Sequence, residues 1–293
     1  MINNDHPLLK KQKQVIPGTR VRLPSRAKFY KNGELVPECL SDGEITLYPM
    51  TTQDDIIMRH PDSLLQGTAV ELVIKRCCPD ILIPEALFGG DVEYILTQLR
   101  LISYGDTIQV TSRCPNFKPT EEVLYGEEYE YRLSINDFIR GGKEIDDTGL
   151  DIYTLTLSSG IVVNLKPITY KDTIKSFQDE VTLQTTFAAD SSNTEKYLSE
   201  QNKIVLNSVA MHIDDVDGET NRDIIYKWLE MLPVNDTLKI IKKYSKINNF
   251  GPNFKKTIKC KGCHEKHDIS YLINPVNFFM QPADLETENN SIN

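Results

Sequence analysis

Apolar residues return at helical spacing through "GGDVEYILTQLRLISYGD", residues 89–106, where Val92, Ile95, Leu96, Leu99 and Ile102 form one continuous stripe. That period predicts an amphipathic helix, with Asp91 as its cap and Gly105 as its stop. Two shorter helices are expected before it. In "LYPMTTQDDIIMRHP", Thr51 or Thr52 can cap, Asp54 and Asp55 fall in a first turn where the helix dipole favours acids, and Pro61 ends the element. "SLLQGTAVELVIKRCCPD" puts Val70, Val73, Ile74 and Cys77 on one face and closes at Pro79.

Elsewhere the period is two. "GTRVRLPSRAKFY" alternates in short steps between Pro17 and Pro24, which predicts a strand entering a turn. "TIQVTSRC" and "EYEYRLSI" are strands, the second carrying Tyr129, Tyr131, Leu133 and Ile135 at alternate positions. "DIYTLTL" and "IVVNLKPI" flank Ser158-Ser159-Gly160 and read as a hairpin. From Tyr170 to Phe250 the pattern turns helical in four segments, and "FKKTIKC" and "HDISYLI" return to strand. The predicted fold class is α+β: an N-terminal strand-and-helix core, a strand module in two separated halves resembling a split zinc ribbon, and a helical insertion between the halves. The expected boundaries are a flexible arm over 1–15, the core over 16–110, the first ribbon half and hairpin over 111–167, the insertion over 168–250, the second ribbon half over 251–282 and a disordered acidic tail over 283–293.

Composition narrows the function classes. At 293 residues, 40% hydrophobic and 26% charged, the chain has the balance of an ordinary globular protein. Its net charge of −9 opposes a surface that grips phosphate everywhere, although a local basic patch remains compatible with it. No run approaches the ~20 apolar residues of a membrane span. The N-terminal "MINNDHPLLKKQKQ" lacks the apolar core of a signal peptide, so cytoplasmic synthesis is expected. Neither a Gly-rich phosphate loop nor a nucleophile elbow is present, and an enzyme is not expected. "DDVDGET" misses the calcium-loop pattern, because Ile224 stands at the closing position. Cys77 and Cys78 end an apolar helix and are expected in the core.

The chemistry concentrates in "CKGCHEKH", residues 260–267. Cys260 and Cys263 are spaced to chelate one tetrahedral zinc, with Gly262 easing the turn; His267 has the better spacing for a further ligand, and His264 is the alternative. The competing reading is two buried thiols at a tight turn. A second strand end, "QVTSRCPNF", offers Cys114, but Phe117 stands where a second knuckle cysteine would. Cys114 is then either a ligand or a small buried apolar residue. Lysines 239, 242, 243, 246, 255, 256, 259, 261 and 266 gather around the knuckle, as solvated surface or as a nucleic-acid-binding face.

Four segments, in order, carry a family likeness: "LPSRAKFY" (23–30), "YPMTTQDDIIM" (48–58), "GGDVEYILTQLRLISYGD" (89–106) and "VTSRCPNF" (110–117). Together they resemble the T-even-type bacteriophage baseplate proteins, a family holding a baseplate hub component and a hub assembly catalyst. The family pattern has Gly where this chain has Ala27 and a cysteine where it has Phe117. The resemblance implies a hub component or hub assembly factor of a contractile tail, a structural protein or chaperone that works through contacts with other hub proteins. It implies assembly in the host cytoplasm and a place in the virion tail baseplate, with zinc in a structural role. Candidate partner contacts are Arg26 and Phe29, near Arg22 in the first segment, and Phe278 and Phe279 near the end of the chain, which otherwise pack on this chain's own ribbon. The alternative function is a viral zinc-ribbon protein that binds nucleic acid, which the net charge opposes.

Overall fold

The computed structural model describes residues 17–116, 127–145, 153–187, 194–271 and 278–279. The expected arm, the tail and Phe117 lie outside the described residues. Strand β1 (Thr19–Arg22) pairs antiparallel with β2 (Glu44–Leu47), Val21 opposite Ile45. Between them β1 enters, as expected, a run of turns over the "LPSRAKFY" segment, with Arg26, Ala27 and Phe29 at φ values of 52°, 57° and 68°. Gly43 lies against that run: a Cβ there would sit 2.8 Å from the Arg26 Cα. The missing side chain thus lets two backbones touch.

Helix α1 (Thr52–Met58) starts at Thr51, which forms a capping box with Asp54. Pro61 opens the short α2 (Pro61–Leu65) in the first helical position, where its missing N–H costs nothing. Helix α3 (Thr68–Cys77) buries Ala69, Val70, Val73, Ile74 and Cys77. Helix α4 (Gly89–Tyr104) buries Val92, Ile95, Leu96 and Leu99 as the stripe requires, and Gly105 ends it. Its N-cap is Phe88; Asp91 lies inside the first turn with other work to do.

Strands β3 (Thr107–Arg113) and β4 (Glu128–Ser134) form one antiparallel pair, and α5 (Ile135–Arg140) follows directly. The hairpin appears as β5 (Thr154–Thr156) and β6 (Val162–Leu165). Helices α6 (Tyr170–Phe187) and α7 (Thr194–Met211) then lead to β7 (Ile213–Val216), which pairs with β6. The stretch expected to be all helix therefore contributes a strand to the hairpin's sheet. Helices α8 (Arg222–Glu230) and α9 (Val234–Ile247) complete this part. Strands β8 (Lys255–Lys259) and β9 (Lys266–Ser270) form the last antiparallel pair, with the knuckle as their turn.

The chain is α+β, with small antiparallel sheets among helices. One core joins β1–β2, α1, α3, α4, β3–β4 and α5 to Ile258, Ile269, Phe278 and Phe279 from the end of the chain. A second lies among β5–β7 and α7–α9. Phe88, Ile145 and Phe250, with Tyr30 and Tyr153 beside them, pack between the two. Cys77 and Cys78 are buried as expected, and burial pushes the Cys77 thiol up to about 12. Among the described residues no helix is long and apolar enough to cross a membrane.

Candidate functional site

The β8–β9 turn builds the cysteine cluster. Cys260 N–H donates to the Glu265 carbonyl at 2.8 Å and His264 N–H to the Cys260 carbonyl at 3.0 Å, which closes the knuckle. Gly262 seats against Tyr129 of β4, where a Cβ would come within 2.7 Å of the phenol oxygen. Lys261 N–H donates to Tyr131 Oη at 3.0 Å. These contacts carry the knuckle to the end of β3, where Cys114 waits. The ligand sulfurs of Cys114, Cys260 and Cys263 all lie within 4.8 Å of one another. Cys260 is buried; the other two are partly exposed.

The Cys260 thiol is prepared as a ligand. The Cys263 backbone N–H favours its thiolate most; the Gly262 N–H and the neighbouring thiols add to that against the opposing effect of burial, and its pKa is lowered to about 7. Four sulfurs about a zinc at about 2.3 Å stand roughly 3.8 Å apart, a spacing that lies inside the 4.8 Å bounding these three. Three sulfur donors suit a soft or borderline metal, and three close cysteines can bind one.

Neither predicted histidine joins them. His267 is already in β9, opposite Ile258, and its Nε2 is 3.2 Å from Ser112 Oγ. The strand has carried it away from the turn, which is why Cys-x3-His spacing does not close here. His264 is exposed at φ 63°. Asn116 Nδ2, a neighbour not picked out from sequence, lies 3.5 Å from Cys263 Sγ.

The motif residues form a second network, and it is structural. Asp91 is fully buried; its carboxylate accepts from Ser25 N–H at 2.9 Å and Tyr30 Oη–H at 2.7 Å. Tyr30 Oη accepts in turn from Phe88 N–H at 2.9 Å, and its ring stacks on Phe88 at 4.6 Å. The first and third motifs are thereby tied together. Burial raises the Asp91 carboxyl to about 6 in spite of those donors. Gly90 packs so closely on Phe250 that a Cβ would lie 2.5 Å from its carbonyl oxygen.

Asp54 bonds Thr51 and Arg76; burial pushes its carboxyl up, but these donors outweigh it and hold the group below its usual range. Tyr104 Oη donates to Asp55, joining the second motif to the third. Arg100, fully buried, donates to the carbonyls of Phe278 and Thr107, each at 3.2 Å, and lies over the Tyr104 ring. A charged residue in that core was not legible from local pattern.

Of the predicted partner contacts, Arg26 and Phe29 are exposed at the surface, Arg26 paired with Glu144 and Phe29 edge-on to Tyr153 at 4.6 Å. Phe278 and Phe279 are not: both are fully buried, Phe279 beside Tyr104 and Phe278 beside Tyr271. Their apolar faces are spent on this chain's own core, so a partner cannot reach them in this fold. The lysines around the knuckle are partly committed too. Lys239 bonds Asp236 and Ser158, Lys256 pairs with Asp137, and Lys261 reaches the Glu130 carbonyl and the Tyr131 ring.

No curated protein and no solved structure matches this sequence. The sequence model described as T4 bacteriophage base plate protein matches residues 34–280, most of the chain. The match spans most of the first core, all of the second, the knuckle and the motifs from Tyr48 onward, and leaves out the first motif at 23–30. The chain belongs to the T4 bacteriophage base plate protein family.

Proposed function

We propose that this protein is a hub component or hub assembly factor of a contractile-tail baseplate, acting through protein–protein contacts and not through bond chemistry. The observation that carries the reading is the use to which the motif residues are put. Ser25 and Tyr30 of the first motif bond Asp91 of the third, Tyr104 of the third bonds Asp55 of the second, and Asp54 and Arg100 are taken up inside the fold by Arg76 and by the Phe278 and Thr107 carbonyls. Groups so engaged shape a surface; they are not held ready for a substrate. The partners are other tail and baseplate proteins, met in the host cytoplasm during assembly and, for a hub component, retained in the virion.

Zinc at Cys114, Cys260 and Cys263 fits this role. It would tie the end of β3 to the β8–β9 turn. Arg26 and Phe29 are the exposed residues of the first motif and are proposed as contacts to a hub partner. The test is genetic. Cells infected by phage lacking this chain should accumulate baseplate parts without finished hubs, and supplying the chain should restore them. Normal baseplates in its absence would overturn the proposal.

A further inference from the structure

Beside the β1–β2 ribbon lies a groove of about 380 Å³ lined by Arg22, Arg26 and Lys28, with Leu40, Ser41 and Asp42 on the facing side. Its lining thus carries three cations and one carboxylate in a chain whose net charge is −9. Arg22 is exposed and forms no ion pair among the described residues. Arg26 also holds the half-exposed Glu144 carboxylate, which does not line the groove, so an incoming carboxylate would exchange with Glu144 for this guanidinium. The backbone beneath it is fixed. Arg26 and Ala27 both take left-handed φ, at 52° and 57°, and Gly43 presses on them from below. Such conformations cost free energy in non-glycine residues and persist only where the surroundings dictate them. The guanidinium is therefore presented from a rigid support, which lowers the cost of ordering it in a complex.

A neighbouring groove of about 360 Å³ shares Ser41 and Asp42 and adds Glu38, Glu44 and Asp80, four carboxylates against the single cation Arg20, which pairs with Glu44 at 3.8 Å. The Cys39 thiol there registers the negative field: burial, then the Asp80, Glu38, Asp42 and Glu44 carboxylates, push it up to about 11. A long polyanion such as nucleic acid that followed the cationic groove would run into these carboxylates. A short acidic stretch would not.

We propose that the Arg22–Arg26–Lys28 groove is a docking site for a short acidic segment of a baseplate partner protein, with Glu144 as the internal carboxylate that the segment displaces. This rests on the baseplate reading above and gives the partner its chemistry. Carboxylates bound by paired guanidinium groups form charge-assisted bonds, and electrostatic matching of this kind sets partner choice and encounter rate.

The experiment places a photo-crosslinking amino acid at Ser41 of the full chain, expressed in infected cells, and identifies the crosslinked peptide by mass spectrometry. The expected product is a baseplate-protein peptide rich in Asp and Glu. Arg22→Glu with Arg26→Glu should lower its yield about tenfold, the penalty of roughly one lost charged contact. Arg22→Lys with Arg26→Lys should retain most of it, and Glu144→Gln should raise it. The melting transition, measured beside each yield, identifies any variant that has failed to fold. A wild-type crosslink to nucleic acid, to a peptide without acidic residues or to nothing would overturn the groove proposal. So would a yield that folded charge-reversal protein leaves unchanged. If the chain still travels with baseplate proteins in those cases, the groove fails alone; if it does not, the baseplate reading fails with it.

Discussion

Replacing Tyr30 with Phe removes one oxygen and little else. The ring keeps its stack on Phe88, centroids 4.6 Å apart, so the packing is retained. Two hydrogen bonds are lost: the one donated to Asp91 at 2.7 Å and the one accepted from Phe88 N–H at 2.9 Å. A buried polar group left without its partner costs about 1–3 kcal/mol, so the expected loss near neutral pH is about 2–5 kcal/mol. The loss should also depend on pH. Burial raises the Asp91 carboxyl from 3.8 to about 6 on folding. A group raised in this way contributes its full stability below about pH 4, and that contribution is lost as pH rises through 6. At about 1.4 kcal/mol per pKa unit, the wild type gives up on the order of 3 kcal/mol across that window at this site. Tyr30 donates to the charged form, so Tyr30→Phe should cost more at pH 7 than at pH 4.5. Urea denaturation of both proteins at the two pH values reads this directly. Equal losses at both, or a loss below about 0.5 kcal/mol at pH 7, would refute the buried-network reasoning.

Three further outcomes are expected. Ala27→Gly should raise stability by about 0.5–1 kcal/mol in thermal or urea melts, since Ala27 sits at φ 57°, a left-handed conformation that favours glycine; a loss would mean that the methyl group's burial outweighs the strain. Arg100→Met should cost about 3 kcal/mol by the same measurement, because the buried Phe278 carbonyl and the partly buried Thr107 carbonyl lose their donor. Elemental analysis of protein prepared without chelator should find about one zinc per chain, and Cys260→Ser should lose both the metal and much of the stability, since metal binding is coupled to folding. Metal-free wild type of full stability would leave only the packing reading of the three thiols.

Local pattern revealed what local physics determines. The α4 stripe, the Thr51 cap and the β5–β6 turn each follow from residues a few positions apart, and all were legible. Asp91, expected as the helix cap, and Arg100 were not read as core, because a charged residue in a helix is placed in the core only by distant partners. Those partners, Ser25, Tyr30 and Phe278, lie far away in sequence. Strand β7 was missed for a related reason. Its "IDDV" puts apolar residues only at its ends, and the acids between them sit beside a register shift at Asn164/Leu165. The Cys-x-x-Cys pair declared itself, whereas its meeting with Cys114 depends on contacts between two separate hairpins. Ala27 keeps a left-handed φ of 57° that favours glycine, a conformation that no local pattern in the sequence announces.

The baseplate reading meets its most direct test in gradient sedimentation of lysates from infected cells, with this chain followed by quantitative mass spectrometry across the fractions. The account predicts a peak that coincides with baseplate hub intermediates at some stage of infection, and retention in finished particles if the chain is a hub component. A chain found only in free, low-mass fractions throughout infection, with hubs assembling normally beside it, would contradict the account.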